Sequence, residues 1–200
     1  MNTHIKIRNN IFETNSSSTH TLVFHRTEPT NVIDDTPLEI HGGYYGRCPT
    51  YPLGGLEEKL NYLWQAIWDN NISYDYSNSN KIEKNVDRKS LNTWKDAIHL
   101  YCPNVILYDI KDDTWNGIDH SGELVPLLEA MKRNTFVLKD FLLDEDGYII
   151  ITGDEYEANE EKQFFDPDEI PRVNSWEDQD KLLYYQDEKN RFTYLYEKGC

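Results

Sequence analysis

The stretch Leu138 to Gly153, LKDFLLDEDGYIIITG, changes its periodicity halfway along. Leu138, Phe141 and Leu142 recur at the spacing of one helix face, with Thr135 as the candidate cap. The acidic turn DEDG closes that helix. Tyr148 to Thr152 then reads as a strand, because β-branched and aromatic residues bounded by Gly suit a pleated, half-buried surface. A helix, a turn and a strand in one short unit call for an α+β fold rather than an all-helical one.

Working outward, KLLYYQ (181–186), DEKN (187–190) and RFTYLY (191–196) read as two aromatic strands around a polar turn, a C-terminal β-hairpin. Upstream, Leu124, Leu127, Leu128 and Met131 mark a helix over Gly122 to Arg133, which tolerates Pro126 in its first turn. Asn104 to Ile110 reads as a buried strand. Ser90 is the candidate cap of a helix carrying Leu91, Trp94, Ile98 and Tyr101, stopped by Pro103. Leu56, Leu60, Leu63, Trp64, Ile67 and Trp68 define an amphipathic helix from about Leu56 to Asn70, ended by the polar NISYDYSNSN. HGGYYGRCPTYPLGG (41–55) reads as a loop and Leu38 to His41 as a strand. Near the start, Ile5 to Arg8 and Thr21 to Phe24 read as short strands around a polar connection, Phe12 to His20. The expected architecture is a single α+β domain over 1–200, with three to four helices packed on a mostly antiparallel sheet. Residues 156–200 form an acidic excursion and the hairpin.

The 200 residues carry a formal charge of −16. From Phe141 onward 17 acidic residues face 6 basic ones, which leaves −5 for the first 140. Nucleic-acid phosphates demand a basic face, so direct nucleic-acid binding is not expected and a basic protein partner is favoured instead. A solvated acidic surface that keeps the chain soluble explains the same charge. Apolar runs such as Tyr148 to Ile151 fall far short of the roughly 20 residues of a membrane helix. MNTHIKIRNN lacks the apolar core of a secretion signal, so a cytoplasmic location is expected. Cys48, Cys102 and Cys200 are odd in number and widely spaced, which suits reduced thiols, with Cys102 a small core residue. His4, His25, His41 and His99 show no zinc spacing, so no metal site is expected.

FETNSSSTH (12–20) gathers an acid, an amide, five hydroxyls and an imidazole. Clustered N–H and O–H donors suit an oxyanion or phosphate, with His20 moving a proton and Glu13 orienting it or acting as base. Ordinary Asx and Ser/Thr turns explain the same residues. IDHS (118–121) adds Asp119 and His120; neighbours on an extended chain point opposite ways, so the two do not form a simple Asp to His pair, while one of them can face a site. A capping Asp beside a surface His is the plainer reading. DEDGYIIITGDEYE departs from the calcium-loop pattern, but TGDE places Asp154 just after a buried strand.

IRNNIFETNSSSTHTL resembles the opening of a family of uncharacterised proteins of bacteriophages and low-GC Gram-positive bacteria, which carry an FETNSSSxH signature. GGYYGRCPTYPLGGLEEKLNYLWQAI, the Gly117 to Ser121 element and LKDFLLDEDGYIIITGDE are similar to later parts of that family, covering residues 1–155. The resemblance implies a shared site at Glu13, Thr14, Asn15, Ser16, Ser17, Ser18 and His20, with Asp119, His120 and Asp154 as companions, and leaves the cofactor unknown. Two functions are then expected. One is a phage-type accessory protein whose Phe12 to His20 segment binds or processes a phosphorylated small molecule, nucleotide or modified protein, with His20 or His120 as acid or base. The other is a non-enzymatic acidic inhibitor of a host nuclease or defence protein, with Asp154, Glu155, Glu157, Glu160 and Glu161 on one face and Tyr184, Tyr185, Tyr194 and Tyr196 as exposed anchors.

Overall fold

The computed structural model describes residues 18–26, 36–46, 52–75, 83–111, 117–118, 121–153, 182–186 and 192–198. Their elements, in chain order, begin with β1 (Ser18–His25), β2 (Leu38–Ile40), β3 (Tyr44–Tyr45), β4 (Pro52–Leu53) and α1 (Leu56–Asp69). There follow β5 (Ile72–Asp75), β6 (Glu83–Val86), α2 (Arg88–His99), β7 (Val105–Leu107) and β8 (Gly117–Ile118). A 3-10 turn, Ser121–Leu124, leads into α3 (Val125–Arg133), α4 (Thr135–Leu143), β9 (Tyr148–Gly153), β10 (Leu183–Gln186) and β11 (Phe192–Lys198). The architecture is α+β, with four helices against mostly antiparallel strands.

The main sheet runs β10-β11-β1-β9-β4, and every pairing in it is antiparallel. β1 lies at its centre, with Leu22 opposite Tyr196 on one side and Ile149 on the other. Phe24 stacks on Tyr194 at 4.8 Å and meets Phe141 of α4 edge-on at 5.4 Å, which locks helix to sheet. The helix, turn and strand read from Leu138 to Gly153 is present, and so is the C-terminal hairpin, β10 with β11.

Several expectations are corrected. Ser18 to His20 are not connecting chain but the first residues of β1. The alternation that buries Leu22 and Phe24 runs back through His20, which faces the same way and is 0% exposed. Residues 41–55 are not all loop, because β3 pairs in parallel with β8, and β4 closes one edge of the main sheet. The polar stretch after α1 contains β5, whose partner β6 makes a hairpin. Asp87 rather than Ser90 caps α2, accepting Ser90 N–H at 3.0 Å, since a carboxylate three residues back reaches the free amide. Asn134 rather than Thr135 caps α4, and the strand expected over Asn104 to Ile110 is confined to Val105–Leu107. Tyr194 and Tyr196 are buried in the sheet, not exposed anchors. Ile5 to Arg8 and Glu155 to Glu169 lie outside the described residues.

α1 is the hub. Its apolar stripe was legible, yet burial extends through Lys59, Leu60 and Tyr62 to Trp68 without a break. The polar stripe opposite, Asn61, Gln65 and Asp69, is spaced four residues apart and is covered by backbone. Asn61 Oδ1 accepts His41 and Gly42 N–H at 3.1 and 3.0 Å, Gln65 Oε1 accepts Gly43 N–H at 3.1 Å, and Asp69 Oδ2 accepts Ile118 N–H at 2.9 Å. Gln65 Nε2 donates to Asp69 Oδ1 at 2.7 Å, completing the row. Gly42 makes this docking possible, with φ of 75° and no room for a side chain. A Cβ there would strike Gln65 Oε1 and Ile110 Cδ1. Gly42→Ala is therefore expected to cost about 1–3 kcal/mol in urea unfolding. Gly122→Ala, where a Cβ meets nothing within 4 Å, should stay within about 0.5 kcal/mol.

Candidate functional site

Two buried polar clusters meet α1, one at Tyr62 and one at Lys59, a turn apart on neighbouring positions of the helix. The first contains His20, whose Nδ1 lies 2.7 Å from the Tyr62 hydroxyl, with one proton shared between them. Burial, with Tyr196 and Tyr45 close by, holds the Tyr62 phenol well above its ordinary pKa, so it keeps its proton. Tyr62 also meets Tyr45 edge-on at 5.1 Å, and Tyr45 pairs with Ile118. Segments far apart in sequence thus converge on one side of α1: the end of the FETNSSSTH stretch, the Gly and Tyr loop, and the start of the IDHS element. Ser18 pairs with Gly153, the residue before Asp154. Within the described residues His20 is fully enclosed, with its ring against Tyr62. Glu13, Thr14, Asn15, Ser16, Ser17, Asp119, His120 and Asp154 lie outside the described residues, as does the Ser18 side chain.

The second cluster joins α1 to the turn between α4 and β9. Asp144 Oδ2 accepts both the main-chain N–H and ring Nδ1 of His25 at 2.7 Å, and Asp144 Oδ1 accepts Asp146 N–H at 3.1 Å. Burial pushes the Asp144 carboxyl up, but the His25 hydrogen bonds and charge, together with Lys59, hold it below the usual range. Lys59 Nζ donates to the Asp144 carbonyl. At 1% exposure Lys59 is as buried as the leucines around it, and desolvation lowers its pKa against the raising effect of Asp144, Asp146 and Glu145.

Lys59, Asp144 and Glu145 line a cavity of about 550 Å³, within the size range of small-molecule sites. Leu38, Leu56, Val105 and Leu142 supply apolar wall, and Cys102 lies among them with its thiol pushed up to about 11 by burial, which leaves it unreactive. Gly54 and Gly55 form the rim at the start of α1. Their N–H groups are taken by Glu58 Oε2 at 2.9 and 3.1 Å, so the positive end of the helix already holds its own anion. Sequence reasoning missed this site. The available signal was Lys59 itself, three residues after Leu56 and four before Leu63, on the edge of the apolar stripe rather than opposite it.

No helix among the described residues is long and apolar enough to cross a membrane, and no group of three or more His, Cys, Asp or Glu among them could hold a metal ion. Compared with known proteins, the chain matches no family model, no curated protein and no solved structure.

Because its folded pKa is depressed, Asp144 contributes stability in full above the ordinary aspartate value of about 3.9 and loses it as pH falls through the lower folded value. Asp144→Asn is expected to cost about 1–3 kcal/mol near pH 5 to 6 and progressively less below about pH 4. Urea midpoints of the two proteins across that range measure it.

Proposed function

We propose that the protein binds a small, largely apolar molecule through one anionic or carbonyl oxygen, in the cavity between the start of α1, the end of α4 and β7. The observation that supports this is the state of Lys59. A buried ammonium carries three N–H donors, and among the described residues Lys59 spends one, on the Asp144 carbonyl. The apolar walls favour a ligand that buries hydrocarbon behind its head group. A monocarboxylate matches the single cation. A phosphate dianion suits the cavity less, because one ammonium would face Asp144, Glu145 and Asp146 together.

This reading keeps the accessory, ligand-binding role that the N-terminal signature suggests for a phage-type protein. It moves the ligand away from the Phe12 to His20 segment, where the phosphorylated ligand remains a separate proposal. The acidic-inhibitor reading loses two of its aromatic anchors, Tyr194 and Tyr196, to the sheet interior. Its carboxylates from Asp154 to Glu161 lie outside the described residues.

Thermal shifts with straight-chain monocarboxylates from butanoate to octanoate, and with inorganic phosphate, test the proposal on the wild type and Lys59→Met. A carboxylate at about 100 times its Kd should stabilise the wild type by about 2.7 kcal/mol. That is worth about 2–4 °C per kcal/mol in a chain of this size. The gain should grow with chain length and vanish in Lys59→Met. Equal shifts with phosphate, or a response retained by Lys59→Met, would overturn the reading.

A further inference from the structure

We propose that Lys59 is a carbonyl-capturing amine, which forms an imine with a small apolar aldehyde that enters the cavity. The proposal rests on the reading of that cavity as a ligand site and gives the head group a definite chemistry.

The hydrogen bonding of Lys59 carries the argument. A lysine held purely as an anchor for the turn would gain by spending its three N–H groups on three acceptors, as buried ammonium groups do. Among the described residues Lys59 has one acceptor, the Asp144 carbonyl. A protonated imine also has one N–H. The hydrogen bond made by the free lysine is therefore the bond its adduct can keep, and Lys59 is itself among the residues that line the cavity where the added carbon would lie.

The surroundings supply the other requirements. Attack needs a free amine, and burial lowers the proton affinity of Lys59 against the three nearby carboxylates. The Nζ lone pair adds to the carbonyl carbon, a C–N bond forms, and the carbonyl oxygen takes a proton to give a carbinolamine. Loss of that hydroxyl with a nitrogen-bound hydrogen, as water, leaves C=N, so amine and aldehyde give imine and water with no change of oxidation state. Glu145 is exposed and lines the same cavity, so it can carry protons between the reacting oxygen and solvent. Leu38, Leu56, Val105 and Leu142 give the hydrocarbon of the aldehyde an apolar wall to pack against. Cys102, the competing nucleophile in the same wall, stays a thiol because its pKa is raised to about 11.

The test uses the full chain with butanal and cyanoborohydride at neutral pH, followed by peptide mapping. Lys59 should become butylated severalfold faster than the exposed Lys89 and Lys132, and excess octanoate should suppress its modification while leaving theirs unchanged. Adducts spread over the exposed lysines with Lys59 unmodified would overturn the imine. So would labelling of Lys59 that octanoate does not suppress, because it would occur outside the cavity. If octanoate raises the melting temperature of the wild type and Lys59 still fails to react, the binding reading stands and the imine falls. If octanoate gives no shift and Lys59 fails to react, both fall. Mapping on the wild type keeps the outcome independent of whether a Lys59 variant folds.

Discussion

A helix buried on nearly every side must find partners for whatever polar residues it carries, and α1 meets that constraint with Asn61, Gln65 and Asp69. Their side chains accept main-chain N–H groups of the loop before β3 and of strand β8, three of the four part-buried. Each partner answers a need of the other. The loop gets acceptors for an irregular backbone, and the helix gets a cover for its polar stripe. Desolvation raises the Asp69 pKa, while Ile118 N–H and Gln65 pull it down, as expected for a carboxylate used as a structural acceptor. Parallel pairing of β3 with β8, two residues long, stands on this support rather than on its own ladder.

At the other side of α1 the chain accepts a more costly arrangement. Lys59, Asp144 and His25 bring three ionisable groups into the interior, where desolvation can exceed the attraction between the charges. Asp144 is well satisfied, since three N–H groups converge on its two oxygens. Lys59 has one acceptor among the described residues, and its position beside a cavity rather than in packed core is what distinguishes it from an ordinary buried ion pair. With its folded pKa below the unfolded one, Lys59 makes the fold gain stability as pH rises toward the ordinary lysine range. Its place beside a cavity is what the binding proposal rests on.

The regular elements were legible where one period dominated. Leu138 to Gly153, the apolar stripe of α1 and the aromatic hairpin each stood out because burial on one face imposes 3.6 or 2 on the sequence. Caps slipped by one to three residues, because Asp87 with Ser90, and Asn134 with Thr135, offer competing side chains at each helix start. His20 was misplaced for a different reason: a polar residue breaks the apolar alternation that identifies a strand, and its partner Tyr62 is 42 positions away. The Lys59 cavity was illegible because its walls come from β2, α1, β7 and α4, and only folding brings them together. The convergence of His20 and Tyr45 on Tyr62 likewise depends on pairings that no local pattern announces.

The place of β1 in the main sheet also bears on how the protein is made. Its two neighbours, β9 and β11, are translated after all four described helices, so at the ribosome β1 waits with Leu22 and Phe24 uncovered while most of the chain is still being added. Helices can form early from local contacts, but the sheet that seals them closes last. Nascent chains stalled before β11 would therefore present an unpaired strand edge beside apolar side chains, which is the kind of surface that holding chaperones recognise and that neighbouring copies on a polysome can bridge.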